Sequence, residues 1–428
     1  MDRWYRLDNA AKIFPAVTKN SNSSIYRVSM ELRREINPEL LQKAAELAIR
    51  RYPVLQVKIR RGVFWNFFDQ NERPLQVQPE TAYPCAPLEP RANNGYFLRI
   101  LYYRCTISVE MFHSLTDGTG ALEFLKTIVY QYLLFTGKEI RDEGLVIRPD
   151  DVPSRYEIED SFTRYYRPVK VRRRKEPRAF RLEGTPFEPL GNNVLTGDMS
   201  AGQIHAAAKR HGATVTEYLT AALIQAIRES RMEYGYFQSR RPVTISIPVN
   251  LRAVFPSRTL RNFFGVANVC VPLREEMGFD EILAEVRREL AAKSARPRLE
   301  ELIAENVRLE RNLAVKFVPL FLKKLILREA FNLRGENCKT ITISNLGRIR
   351  LPADMAAEVT RTQLILYPTL KSPANCGVCT FGDVLTFSFS RTILENDFIR
   401  QFFRFLADDA GVQIEIHSNN WGYPHETM

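Results

Sequence analysis

Residues 106–120 read TISVEMFHSLTDGTG, and residues 121–135 continue as ALEFLKTIVYQYLLF. The first part alternates as a strand does, placing Ile107, Val109, Met111 and His113 on one face and Phe112 on the other. The apolar row is the one that seeks a core, so His113 points inward just where the strand runs out. A tight polar turn with Asp117-Gly118 at the reversal follows, and then a run with apolar residues at helical spacing. A buried imidazole favours its neutral form, and a neutral imidazole is a competent general base for a hydroxyl, amine or thiol. The alternative is a satisfied core histidine followed by an ordinary turn.

Working outward, residues 25–32 alternate as a strand, and Asn37-Pro38 supplies an N-cap and a first-turn proline for a helix that ends before Pro53. Residues 54–60 and 63–68 read as a hairpin around Arg61-Gly62, and residues 97–112 as one long strand. Beyond residue 190 the mixture resumes. Ser200 caps a helix to about Arg210, Thr214 or Thr216 opens another, and residues 242–249 and 264–273 read as strands. A charged helix starts at Phe279 and breaks near Pro297, and an apolar helix covers 317–331. Strands at 340–344, 363–367, 377–381 and 384–390 precede a helix at 395–407 and a strand at 412–417. With no repeat and no strict βαβ alternation, the expectation is an α/β protein of α+β type, in which mixed sheets carry packed helices twice over.

The chain has 428 residues, 45% of them hydrophobic, and carries +12 from 61 basic and 49 acidic side chains. That excludes a disordered or collagenous protein. Residues 164–181 hold nine basic residues against Glu176 alone, so +8 of the +12 sits in this one stretch. It lies in a proline-interrupted connection, giving expected divisions of 1–163, a basic crossover at 164–195, and 196–428. Six cysteines are too sparse for a disulfide scaffold, and the first residues form no secretory core, so a cytoplasmic location is expected.

Residues 112–118, FHSLTDG, resemble the HHxxxDG motif of the chloramphenicol acetyltransferase-like acyltransferases, a superfamily that includes condensation domains and alcohol acetyltransferases. The bacterial alcohol acetyltransferase-like proteins are the most similar branch. Residues 51–55 (RYPVL), 216–227, 248–252 (PVNLR) and 344–347 (SNLG) resemble further motifs of that superfamily. The resemblance implies two chloramphenicol acetyltransferase-like subdomains with an active-site tunnel between them. His113 would deprotonate an alcohol or amine that attacks the thioester of an acyl-CoA, with no acyl-enzyme. Asp117 would pair with Arg252, Gly118 would keep the tunnel floor free of side chain, and Ser344, Asn345 or Asn250 would make polar contacts to the oxyanion or substrate. Acyl-CoA enters as donor substrate, and no cofactor is implied. A carrier-protein thioester as donor, or a non-catalytic binding module, are the alternatives. The first histidine of the motif is replaced by Phe112, and the DFGWG signature has only Thr380-Phe381-Gly382-Asp383 in a comparable place.

Other motifs carry less. Cys376 and Cys379 form a lone CxxC on a strand, where residues three apart face opposite sides, so no metal site is expected. The basic stretch has Phe162, Tyr165, Tyr166 and Phe180 around it, yet a single connection without a recognised module points to a solvated crossover, not to nucleic acid. It would also suit the phosphates of coenzyme A or an acidic carrier protein. The helix at 317–331 reads as a core helix with one wet edge of lysines, with no membrane insertion expected.

Overall fold

The computed structural model describes residues 4–19, 21–171, 176–233, 240–312 and 317–421. Three sheets organise them. A small one has the order β1-β4-β3, with β1 at Trp4–Arg6, β3 at Val57–Arg61 and β4 at Asn66–Gln70. The second, five strands wide, comprises β2 (Ile25–Leu32), β5 (Val77–Pro79), β6 (Leu98–Tyr103), β7 (Thr106–Phe112) and β12 (Val359–Leu366) in the order β12-β2-β7-β6-β5. The third, seven strands wide, comprises β8 (Asn193–Ser200), β9 (Val243–Asn250), β10 (Phe264–Val271), β11 (Ile341–Arg348), β13 (Ala374–Phe381), β14 (Val384–Arg391) and β15 (Ile414–Ser418), in the order β10-β9-β11-β13-β14-β8-β15. Among the described residues only β11, parallel to both β9 and β13, and β5, parallel to β6, depart from antiparallel pairing. The mixed α/β class expected from the sequence is the one observed.

Each large sheet buries one face under helices whose ends the sequence specifies. Helix α1 is Phe14–Val17. Helix α2 (Pro38–Arg51) is capped by the Asn37 side chain, which accepts from the amides of Glu39 and Leu40, and it buries Leu41, Ala44, Ala45, Ala48 and Ile49. With α3 (Gly118–Phe135) it covers the row Ile107, Val109 and Met111. Helix α4 (Ser161–Tyr165) packs through Phe162 on Phe255 and Phe263, and α5 (Ala201–Arg210) and α6 (Val215–Glu233) cover the seven-stranded sheet. A reciprocal cap starts α6: Glu217 N–H donates to Thr214 Oγ1 at 3.3 Å and Thr214 N–H to the Glu217 carboxylate at 2.8 Å. Helices α7 (Phe279–Ser294), α8 (Arg296–Arg311), α9 (Leu320–Arg334), α10 (Ala353–Ala356) and α11 (Asp397–Ala410) complete the order.

Three features differ from the sequence reading. Residues 97–112 form a hairpin, β6 turning into β7 through Arg104 and Cys105; Arg104 takes a left-handed φ of 48° without the glycine or asparagine that announces such turns. Strand β12 pairs along β2, from Val359 opposite Leu32 to Leu366 opposite Tyr26, so 196–428 is not confined to one sheet. The crossover is also partly anchored. Ala179 N–H donates to Asn337 O at 2.9 Å, Phe180 N–H to Pro242 O at 2.7 Å, and Arg231 lies 4.3 Å from the Phe180 ring centroid. Arg172, Arg173, Arg174 and Lys175 lie outside the described residues.

Candidate functional site

His113 stands one residue past the end of β7, where its N–H donates to Ser24 O at 2.9 Å at the entry to β2. Its ring stacks on Phe14 of α1, centroids 4.4 Å apart and planes 6° apart. Tyr26 of β2 and Phe264 of β10 flank it at 5.0 and 5.3 Å. Burial among these rings pushes its pKa down and outweighs the opposing pull of its own carbonyl, the Asp117 charge and Asn262, so the ring is neutral at pH 7.

The Nδ1 atom lies 3.1 Å from Asn262 Oδ1. Asn262 is fully buried, and its Nδ2 donates to Asp8 Oδ2 at 3.2 Å, which fixes the amide so that its oxygen faces the imidazole. Because an amide oxygen only accepts, this pairing favours the tautomer with its proton on Nδ1 and its lone pair on Nε2. Asp8 is itself buried; Ala11 N–H donates to its Oδ1 at 2.7 Å and the Arg261 guanidinium is 3.6 Å away. Burial pushes the Asp8 carboxyl up to about 6, with Arg261 pulling the other way.

The loop that supplies Asn262 is clamped to the Asp117 turn. Asp117 caps α3 by accepting from Gly120 N–H, and its Oδ2 accepts from Phe263 N–H at 2.9 Å and from the Arg252 guanidinium at 2.7 Å. Arg252 also donates to the carbonyls of Thr259, at 3.0 and 2.9 Å, and of Arg261, at 2.6 Å. Thr116 Oγ1 donates to Leu260 O at 2.6 Å. Gly120 permits this approach, since a Cβ there would lie 2.4 Å from Leu260 O and 2.0 Å from Thr116 Oγ1. One ion pair thus joins the motif of the five-stranded half to a loop of the seven-stranded half, and that loop holds the imidazole.

The remaining sequence candidates divide. At Gly118 a Cβ would lie 2.7 Å from Leu346 Cδ2, so the glycine lets β11 pack closely against the motif. Asn345 is engaged within the protein, its Oδ1 accepting from Gly347 N–H at 2.7 Å and its Nδ2 donating to Thr216 Oγ1 at 3.2 Å. Asn250 is exposed and caps the turn at Leu251–Ala253 by accepting from Arg252 N–H at 3.0 Å. The Ser344 hydroxyl, on half-buried β11, has no hydrogen-bond partner among the described residues. Phe112 packs with Ile25 and Cys85 on the face away from His113. Asp8, Phe14 and Asn262 escaped the sequence reading: they lie far apart in the chain, and a buried asparagine in RNFFG carries no local signal.

Cys376 and Cys379 belong to opposite cores, and burial pushes both thiols up. Among the described residues no group of histidine, cysteine and carboxylate side chains is suited to a metal ion, and no helix is long and apolar enough to cross a membrane. A cavity of about 810 Å³, lined by Trp4, Phe64, Trp65, Phe67, Val307 and Phe317 among others, lies elsewhere and does not include His113.

No family model and no curated protein matches the sequence. Solved structures do match over nearly the whole chain. The first condensation domain of the calcium-dependent antibiotic synthetase, in complex with a substrate analogue, superposes with a TM-score of 0.62 at 14% identity, covering 97% of this chain and 99% of that one. The chain has the condensation-domain fold. A trichothecene 15-O-acetyltransferase from Fusarium sporotrichioides shares it (TM-score 0.58, 12% identity, 95% and 94% coverage). So does an R148A variant, in its own numbering, of the starter condensation domain of rhizomide synthetase in complex with C8-CoA (TM-score 0.58, 13% identity, 96% of each chain).

Proposed function

We propose that this protein is an acyltransferase that moves an acyl group from acyl-CoA to an alcohol or amine, with His113 as general base. The observation that carries the reading is the pairing of His113 Nδ1 with Asn262 Oδ1, an oxygen that can only accept, which puts the ring proton on Nδ1 and makes Nε2 the basic nitrogen. Nε2 takes the proton of the acceptor O–H or N–H as that oxygen or nitrogen bonds to the thioester carbonyl carbon. The tetrahedral oxyanion collapses, the C–S bond breaks, and the thiolate takes the proton back from Nε2. No side chain is acylated. Ser344, with a hydroxyl unengaged among the described residues, is the protein donor assigned to the oxyanion. Asp117 and Arg252 act through structure, holding the loop that carries Asn262.

Support for the reaction class comes from the fold shared with an acetyltransferase and with condensation domains, one of them in complex with C8-CoA. The condensation domains equally favour a second donor, a thioester on the phosphopantetheine arm of a carrier protein, which presents the same reacting atoms. Free thiol release from acyl-CoA in the presence of a panel of alcohols and amines tests the first reading. Loss of turnover in His113→Ala, with an unchanged melting temperature, is expected; turnover like that of the unsubstituted protein would refute the assignment of the base. Acyl transfer from an acylated carrier alone would select the second donor.

A further inference from the structure

Helix α9 buries a charged side chain and exposes apolar ones. Its lysine at position 323 is buried, donating to Phe64 O at 3.0 Å and lying 3.8 Å from the Trp65 ring centroid. Leu320 and Leu327 face Leu7 and Trp65, but four large apolar side chains face away from the protein: Phe321 is 66% exposed, Leu325 58% and Ile326 61%, with Leu322 beside them. The sequence suggested a core helix with a wet lysine edge; instead Lys323 is buried, Lys324 and Arg328 are half-buried, and Phe321, Leu322, Leu325 and Ile326 are exposed. The apolar face continues past the helix. Leu320 N–H donates to Val63 O at 2.9 Å, which attaches the start of α9 to the β3–β4 turn, and Val63, 74% exposed, and Phe64, edge-on to the exposed Phe317, extend the same surface. Soluble proteins rarely leave contiguous large apolar side chains uncovered without a partner.

The surrounding charge identifies the partner. Residues 58–64 and 317–334 contain seven basic residues and one acid, Glu329. Lys58 and Arg60 share the single carboxylate of Asp69, while Arg61, Lys324 and Arg328 have no carboxylate within ion-pair distance among the described residues. Lys324 is half-buried, beside Leu320 and Leu327 at the edge of the helix that packs on Leu7 and Trp65, and burial together with the Arg61 charge lowers its pKa. A second copy of the chain would set these cations against one another. The exposed row is Phe, Leu and Ile, side chains that enter hydrocarbon favourably but make no hydrogen bonds, whereas protein hot spots favour Trp, Tyr and Arg. We propose that the β3–β4 turn, Phe317 and the outer face of the first two turns of α9 form a docking surface for an anionic lipid membrane, apolar side chains entering the acyl boundary and Arg61, Lys324 and Arg328 meeting headgroup phosphates. Phe64 and Phe317 also line the cavity of about 810 Å³, so the docked face adjoins an aromatic-walled space.

The test is co-sedimentation of the full chain with phosphatidylcholine vesicles, with and without about 30% phosphatidylglycerol. The protein is expected to pellet with the anionic vesicles and to be released by about 0.5 M salt. Two variants, Phe321→Ser with Leu325→Ser, and Arg61→Gln with Lys324→Gln, are each expected to weaken partitioning by more than about tenfold while keeping the melting temperature. Protein that stays in the supernatant with anionic vesicles overturns the proposal, as does undiminished binding by both variants. A dimer that the Phe321→Ser, Leu325→Ser variant converts to monomer overturns it in favour of a second copy.

Discussion

Replacing Asn262 by leucine keeps the volume of a fully buried side chain but removes both hydrogen bonds of the amide, to His113 Nδ1 at 3.1 Å and to Asp8 Oδ2 at 3.2 Å. Losing the amide acceptor weakens the Nδ1–H form by up to about 1–3 kcal/mol, because only backbone carbonyls are left to accept from the ring. The imidazole escapes that cost by moving its proton to Nε2, the atom that has to accept. The productive tautomer then falls by about 5- to 150-fold, and kcat with it, while KM for the acyl donor holds because no substrate contact is lost. Two measurements check this. Imidazole ¹⁵N shifts report which nitrogen of His113 bears the proton in each protein, with no substrate needed, and initial rates at saturating donor report kcat. Leucine at 262 also strips Asp8 Oδ2 of its donor, so melting is followed in parallel and rates are compared below the transition. A His113 spectrum that still shows Nδ1–H, with kcat within about twofold of the original, would refute the chain from Asp8 through Asn262 to His113.

Asp117→Asn is expected to destabilise by about 3–5 kcal/mol, since it leaves Arg252 buried without its counter-ion, and urea melts check it; an unchanged midpoint would show that the clamp is not structural. Asp8 sets a pH dependence. Its folded pKa, raised from 3.8 to about 6, means that the native state holds the proton more tightly than the unfolded chain, so the contribution is full below 3.8 and lost as pH rises through 6, by about 3 kcal/mol in all. Relative to Asp8→Asn, the original protein should therefore gain stability between pH 7 and pH 4, and parallel stability curves in that range would contradict the assignment. Gly120→Ala places a methyl group 2.4 Å from the Leu260 carbonyl oxygen, and the expected result is insoluble protein or a large fall in melting temperature by calorimetry.

What the sequence made legible was local. Asn37-Pro38, Ser200 and Thr214 announce helix starts because capping depends on residues within one turn, and the alternation of Ile107, Val109, Met111 and His113 fixes the face because a strand has a period of two. The Asp117 to Arg252 contact was reachable only through resemblance, as 135 residues separate the partners. Nothing local could reveal Asn262 beside His113, or that β12 leaves its neighbours in the chain for β2, because such pairings are settled by the packing of distant elements. The exposed apolar side chains of α9 defeated the pattern for a different reason: periodicity says which residues share a side, but not which side is covered.

The placement of β12 bears on how the chain is made. The five-stranded sheet has β2 next to its end, and the strand that shields β2 is Val359–Leu366, encoded more than three hundred residues later. While the ribosome is still adding the intervening sequence, β2 holds a bare row of amide and carbonyl groups along one edge, open to pairing with another nascent chain. Separate expression of residues 1–163 should accordingly yield aggregates, and supplying residues 196–428 in trans should rescue them, a dependence that makes the two halves a single unit of synthesis.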